Sequence, residues 1–232
     1  MPVKMNPIES PAGDAILVGD PRRAFTLAQE LTGKPKMSHQ ARGLWGYVGT
    51  TDSGRRLTVQ STGSGGPSAV PVIGDLADAG VTRMLRLGTC LATDPELMSG
   101  TVLLVERAVI ADGASRTLSG RDDFARPDRE LFSVLEGLGR EATVSSHDLV
   151  ERYEPAGDGG GQAPAVARDL QTATFLAMCR RISVPAAALL IVAEDRSGDR
   201  LGEEDLWQLF RTAGKAALSR LERTDPNPQL EV

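Results

Sequence analysis

Apolar positions along the chain alternate between two patterns. Short β-branched or aliphatic runs are separated by longer stretches of helical spacing, the signature of an α/β layered domain. Ala15 to Val18 predicts a strand, after which Gly19-Asp20-Pro21 turns the chain into a helix of roughly Arg22 to Leu31. Val48 to Thr51 and Arg56 to Gln60 predict paired strands around a hairpin turn at Asp52-Ser53-Gly54. After Pro67 a helix is expected to about Ala79, then a strand at Arg83 to Leu87. Strands near Val102 to Ile110 and Glu141 to Val144 flank a helix near Arg129 to Leu138. Glu154 to Pro164, rich in Gly, Ala and Pro, predicts a loop. A helix from about Val166 to Arg181, a strand at Ala186 to Val192 and an amphipathic helix near Glu203 to Leu221 follow. The expected architecture is α/β: a single layered domain over residues 1–232, with a central mixed β-sheet flanked by helices. Residues 1–13 and 223–232 are expected to be flexible tails.

Composition narrows the function classes without naming one. A length of 232 residues suits one large α/β domain. Net charge is −5 and no block of like charges interrupts the mixture, so no basic face for nucleic acid or an anionic membrane is expected. The start, MPVKMNPIESPAGD, has no apolar run of signal-peptide length, and no stretch approaches the roughly 18 apolar residues of a membrane span. A soluble, cytoplasmic protein is the expectation. Cys90 and Cys179, with His39 and His147, are too few and too scattered for a disulfide framework or a zinc site. Reduced thiols and no structural metal are expected.

Three glycine-bearing turns are expected where strands end, the places where open α/β sheets gather ligands. They are Gly19-Asp20-Pro21-Arg22-Arg23, the loop Ser61 to Pro67, and Arg86-Leu87-Gly88-Thr89-Cys90. Glycine lets backbone amides approach an anion, a following helix adds a favourable dipole, and arginine matches a phosphate bidentately. Any one such segment can be an ordinary loop. The coincidence of all three, two with arginine, points to a bound anion.

These segments carry a resemblance. Val18-Gly19-Asp20-Pro21-Arg22-Arg23 resembles the first phosphate loop of the nucleoside phosphorylases that form trimers and hexamers. Ser61-Thr62-Gly63-Ser64-Gly65-Gly66-Pro67-Ser68 is similar to the matching loop of bacterial uridine phosphorylase. Arg86-Leu87-Gly88-Thr89, Asp112-Gly113-Ala114-Ser115 and Ala173 to Cys179 follow in the same order, so the likeness runs from about Ile16 to Leu221, weakest over Ser119 to Ala165. It implies that Gly19, Arg23, Arg86 and Thr89 bind phosphate, and that Arg42 enters a neighbouring subunit's site in a homo-oligomer, with a dimer as functional unit and a hexamer as one outcome. Cys90, Leu91, Arg152, Asp169, Leu170 and Gln171 fall at nucleoside-contacting positions. Asp195 and Arg196 fall where purine enzymes carry a catalytic aspartate and uridine enzymes an asparagine followed by arginine.

The implied reaction is phosphorolysis of an N-glycosidic bond to free base and sugar 1-phosphate, with inorganic phosphate as co-substrate and neither metal nor organic cofactor. Cleavage builds positive charge on the sugar and negative charge on the base. The phosphate dianion opposes the first, and an acid is needed for the second: Asp195, with its pKa raised by burial, is the candidate, with Arg196 supporting it. The chain also departs from the family pattern. Asp169-Leu170-Gln171 stands where the family has Glu-Met-Glu gripping the ribose hydroxyls, Leu91 replaces a glycine, and the N-terminal histidine facing the sugar 5′-hydroxyl has no counterpart. Three readings stay open: a phosphorylase for a modified or non-standard nucleoside, a nucleoside hydrolase of the same fold, or a catalytically silent binding protein.

Overall fold

The computed structural model describes residues 7–153 and 165–224; the expected loop at 154–164, residues 1–6 of the first expected tail and residues 225–232 of the second lie outside the described residues. In chain order the first half contains β1 (Asp14–Val18), α1 (Pro21–Leu31), β2 (Gly33–His39), β3 (Gly46–Thr50), β4 (Arg56–Ser61), α2 (Gly66–Asp78) and β5 (Arg83–Ala92). The second half contains β6 (Val102–Ala111), α3 (Gly113–Ser119), β7 (Phe124–Ala125), α4 (Arg129–Leu135), β8 (Arg140–His147), β9 (Ala167–Asp169), α5 (Thr172–Arg181), β10 (Ala186–Glu194) and α6 (Glu203–Arg223).

These strands form one mixed sheet flanked by the helices, as the pattern predicts, in the order β10-β6-β8-β9-β5-β1-β4-β3-β2. It is partly closed. Because β10 pairs with β5 as well as β6, the strands β10, β6, β8, β9 and β5 complete a ring, while β1, β4, β3 and β2 extend from it as an open arm. Parallel strands at the centre are covered on both faces, which explains their unbroken apolar runs. Along β1, Ala15 and Leu17 enter the core beneath α2 and α5, and Ile16 and Val18 enter the core beneath α1 and α6. The same two-residue alternation divides β10, with Ala188, Leu190 and Val192 on one side and Ala187, Leu189 and Ile191 on the other. Each large aliphatic side chain so buried stabilises the fold by about 1.5–3 kcal/mol.

Local chemistry starts the helices near the cleft. The Asp20 side chain accepts the Arg23 N–H at 2.9 Å and Pro21 occupies the first turn, so α1 begins immediately after β1. Its stripe Ala24, Leu27, Ala28 and Leu31 is buried. Glu203, Glu204 and Asp205 open α6, and Arg220 and Arg223 close it, in keeping with the helix dipole.

The structure differs from the sequence expectation in two places that matter for the site. The helix expected from Val166 begins only at Thr172, because Ala167 to Asp169 pair with both β5 and β8. Tertiary pairing overrides the helical pattern there, and the Asp169 carboxylate, accepting the Thr172 N–H at 3.0 Å, fixes the new start. Secondly, the strand expected to stop at Leu87 continues to Ala92. Gly88 is therefore not a turn residue but a position inside β5. The edge strand β2 was not expected at all, since only Ser38 and His39 of its seven residues are buried and no apolar alternation marks it. Among the described residues no helix is long and apolar enough to cross a membrane.

Candidate active site

A cleft of about 1040 Å³ opens at the carboxyl ends of β1, β5, β9 and β10, the position the parallel topology favours for a ligand. Gly19, Arg23, Arg86 and Thr89, four of the residues implied to hold phosphate, line it together. Arg86 is buried at mid-strand and folds back along β5, its guanidinium donating to the Thr172 hydroxyl (3.0 Å), to Gln171 Oε1 (2.7 Å) and to Asp169 Oδ2 (3.1 Å). Gly88 makes this possible. A β-carbon there would lie 2.8 Å from Arg86 Nη2 and 2.9 Å from Leu190 Cδ2. Arg23 reaches the same end of the cleft from the first turn of α1, with its guanidinium 4.8 Å from the centre of the Phe210 ring. Burial holds the Arg23 guanidinium below its ordinary pKa, Asp20 opposes that shift, and repulsion from Arg86 adds to it. Two guanidinium groups that repel each other across a half-buried space define a place for an anion.

The wall beside this cradle is Asp169-Leu170-Gln171. Asp169 Oδ1 accepts from Ser146 Oγ at 2.5 Å, and Oδ2 accepts from Thr172 Oγ1 at 2.5 Å as well as from Arg86. Gln171 is also fully engaged. Its Oε1 accepts from Thr62 Oγ1 (2.8 Å) and Arg86, and its Nε2 donates to Gly63 O (3.1 Å) and Gly65 O (2.8 Å). That side chain therefore ties Arg86 to the Ser61–Pro67 loop, whose Gly63 and Gly65 hold φ of 73° and 80°, a region glycine tolerates.

Farther from the cradle, strand register places Leu91 beside Arg168 of β9 and beside Glu194 of β10, so these residues form one row across the cleft. Cys90 precedes this row as a buried thiol whose pKa burial pushes far above the usual range. Arg168 and Glu194 were missed from sequence. Arg168 donates to Leu149 O at 3.3 Å, while Glu194 lies 3.5 Å from Arg200, another lining residue. The signal for Arg168 was available: it sits next to Asp169, and a strand assignment there would have placed it among the cleft-walling residues.

Other expected residues are not brought to the cleft. Arg42 is exposed, with φ 59°, in the short turn Ala41–Gly43, and does not line its own chain's cleft. Asp195 and Arg196 stand just past the lining residues Ala193 and Glu194. Asp195 Oδ1 accepts from Ser197 N and Oγ (2.9 and 2.6 Å) and from Asp199 N (3.2 Å), closing the turn after β10. The expectation of a raised Asp195 pKa is thereby corrected: hydrogen bonding from Ser197 outweighs burial and holds the carboxyl below its ordinary range. Arg196 points instead to Thr93 O at 2.9 Å. Arg152 falls in the turn Glu151–Tyr153, and its side chain lies outside the described residues.

Comparison with known proteins agrees with the fold. The fold is similar to that of a purine nucleoside phosphorylase from Toxoplasma gondii, with a TM-score of 0.77 over 92% of this chain and 93% of that one, at 20% identity. In sequence, the chain is 26% identical over 213 residues to the DeoD-type purine nucleoside phosphorylase of Geobacillus kaustophilus, covering 88% of this chain and 90% of the relative. It is 39% identical over 151 residues to the uridine phosphorylase of Haemophilus influenzae, covering 60% of this chain and 59% of the relative. Residues 14–224 match the family model of the phosphorylase superfamily, and this chain belongs to that family.

Proposed function

We propose that the chain is a pentosyltransferase that cleaves the N-glycosidic bond of a nucleoside with inorganic phosphate, yielding free base and sugar 1-phosphate without a cofactor. The observation that carries this reading is that Gly19, Arg23, Arg86 and Thr89 line one cleft together with the row Leu91, Arg168 and Glu194. Phosphate held by Arg23 and Arg86 lies next to the anomeric carbon, stabilises the developing sugar cation, and then bonds to it as the base leaves. Arg168, on the row away from the anion, is placed to hydrogen-bond a carbonyl of the departing base and share its negative charge. Asp195 is engaged through Oδ1 in the turn after β10, and this reading assigns the acid role elsewhere.

The functional unit in this reading is a homo-oligomer in which Arg42 completes a neighbour's anion site. Phe25, Met37 and Trp45 support it, being exposed apolar side chains on α1, β2 and the segment after Arg42. A nucleoside panel assayed with and without phosphate tests the reaction, with base and sugar 1-phosphate both quantified. Base release that does not require phosphate would replace phosphorolysis by hydrolysis, and no release would leave a silent binder. The second outcome has one observation in its favour: Asp169 and Gln171 already have full sets of partners. A monomeric mass by light scattering at micromolar concentration would remove the shared-site element.

A further inference from the structure

We infer that the sugar subsite is built for a pentose lacking a 2′-hydroxyl, so that 2′-deoxyribonucleosides are the preferred ligands of this cleft. The inference rests on the reading above for the kind of ligand, and on hydrogen-bond accounting for its sugar. Among the hydroxyl-bearing carbons of a nucleoside sugar, C2′ is the one bonded to the anomeric carbon that phosphate attacks. With the anion on Arg86, this places its substituent in the proposed pose against the wall that bonds Arg86, which is Asp169-Leu170-Gln171.

A hydroxyl placed there needs an acceptor, because a buried O–H without one loses the hydrogen bonds water gave it. The side-chain acceptors of that wall are already taken. Asp169 receives Ser146 Oγ and the Thr172 N–H on Oδ1, and Thr172 Oγ1, the same N–H and Arg86 on Oδ2. Gln171 Oε1 receives Thr62 and Arg86, and both Nε2 hydrogens are committed to Gly63 O and Gly65 O. Leu170, between them, is apolar. Asp169 is pulled into the structure by these partners: its side chain is 1% exposed, so its carboxylate faces the helix start rather than the cleft. A methylene at C2′ leaves every one of these bonds intact. A hydroxyl either stays unpaired or must break into the Arg86–Gln171–Thr62 set that holds the anion cradle.

The test is equilibrium binding by calorimetry of matched pairs, 2′-deoxyadenosine with adenosine and 2′-deoxyuridine with uridine, with sulfate present as a non-transferable anion. Corresponding 2′-deoxy-2′-fluororibonucleosides are included because fluorine fills nearly the space of a hydroxyl and donates no hydrogen bond. The deoxynucleoside should bind roughly tenfold or more tightly than its ribo partner in each pair that binds, and the fluoro compound should follow the deoxy one. Equal affinity, tighter ribonucleoside binding, a fluoro compound as weak as the ribo one, or no binding by any of them would overturn the inference. Replacing sulfate with phosphate and measuring products separates this from the reaction assigned above. A deoxy preference in binding without phosphate-dependent release of base would refute phosphorolysis and keep the sugar assignment, whereas phosphorolysis with a ribo preference would do the reverse.

Discussion

Replacing Gln171 with glutamate isolates what this buried side chain does. The substitution keeps shape and size but exchanges the amide NH2 for an oxygen. Both bonds to Gly63 O and Gly65 O, at 3.1 and 2.8 Å, are lost, and an oxyanion is pressed against two carbonyl oxygens in a site where Gln171 is 3% exposed. Two hydrogen bonds at about 1 kcal/mol each, with Gly63 O and Gly65 O left only the longer contacts from Thr62 Oγ1 (3.5 Å) and the Ala69 N–H (3.4 Å), cost on the order of 2–4 kcal/mol. The bond from Arg86, at 2.7 Å, becomes charge-assisted and returns about 1 kcal/mol, limited because that guanidinium already serves Asp169. The balance is a destabilisation of about 1–3 kcal/mol. For a chain of 232 residues this lowers the melting temperature by roughly 3–10 °C.

Thermal melting of Gln171→Glu and wild type at one fixed protein concentration measures it, since association would otherwise shift both values. Urea midpoints at unchanged slope provide the second reading. An unchanged or higher melting temperature would show that the loop accepts an anion at this position, and that Gln171 is not the tie between Arg86 and the Gly63–Gly65 turn.

Other perturbations address separate parts of the site. Gly88→Ala places a β-carbon against Arg86 and Leu190, which should cost about 1–3 kcal/mol and displace the guanidinium, so that phosphate raises the melting temperature less than in wild type; an undiminished phosphate shift would refute the role given to Gly88. Asp195 has a native pKa below its unfolded value, so it stabilises the fold fully above the unfolded value near 3.9 and progressively less as pH falls through the native one. Asp195→Asn should therefore flatten the acid limb of the stability curve below about pH 4; an acid limb as steep as wild type would count against this assignment. Burial pushes the thiols of Cys90 and Cys179 well above the usual range, so a disulfide reagent at pH 8 should label the native protein very slowly and both thiols promptly in denaturant. Rapid native labelling of Cys90 would mean that the cleft wall opens.

Much of the fold was legible because its central strands are simple. Ala15 to Val18 and Ala186 to Val192 are apolar on both faces, and no other local arrangement buries such short runs as well. What was hidden depended on partners distant in sequence. Ala167-Arg168-Asp169 has no strand signature; it is a strand because β5 and β8 present free edges on either side of it. The ring closure through β10 and β5 is equally invisible, since pairing of an apolar strand with a second neighbour leaves no trace in its periodicity.

The site shows the same division between residue type and residue partner. Arg86, Asp169 and Gln171 were all identified from sequence as ligand contacts, and the structure adds that Arg86 joins the other two. Asp169 is one methylene shorter than glutamate, so its carboxylate reaches Thr172 and Ser146 behind the wall, where it receives the hydrogen bonds that start α5. With Asp169 withdrawn, Arg86 gains one partner from that side and takes its next from Gln171. A neutral amide suits this second place, because only an amide can accept from Arg86 and Thr62 while donating to two backbone carbonyls. The aspartate and the glutamine are therefore coupled through Arg86, and a carboxylate at residue 171 would leave Gly63 O and Gly65 O with only the longer contacts from Thr62 Oγ1 (3.5 Å) and the Ala69 N–H (3.4 Å). Substituting both together, Asp169→Glu with Gln171→Glu, should depart from the sum of the single effects, as expected for residues sharing one hydrogen-bonded arginine.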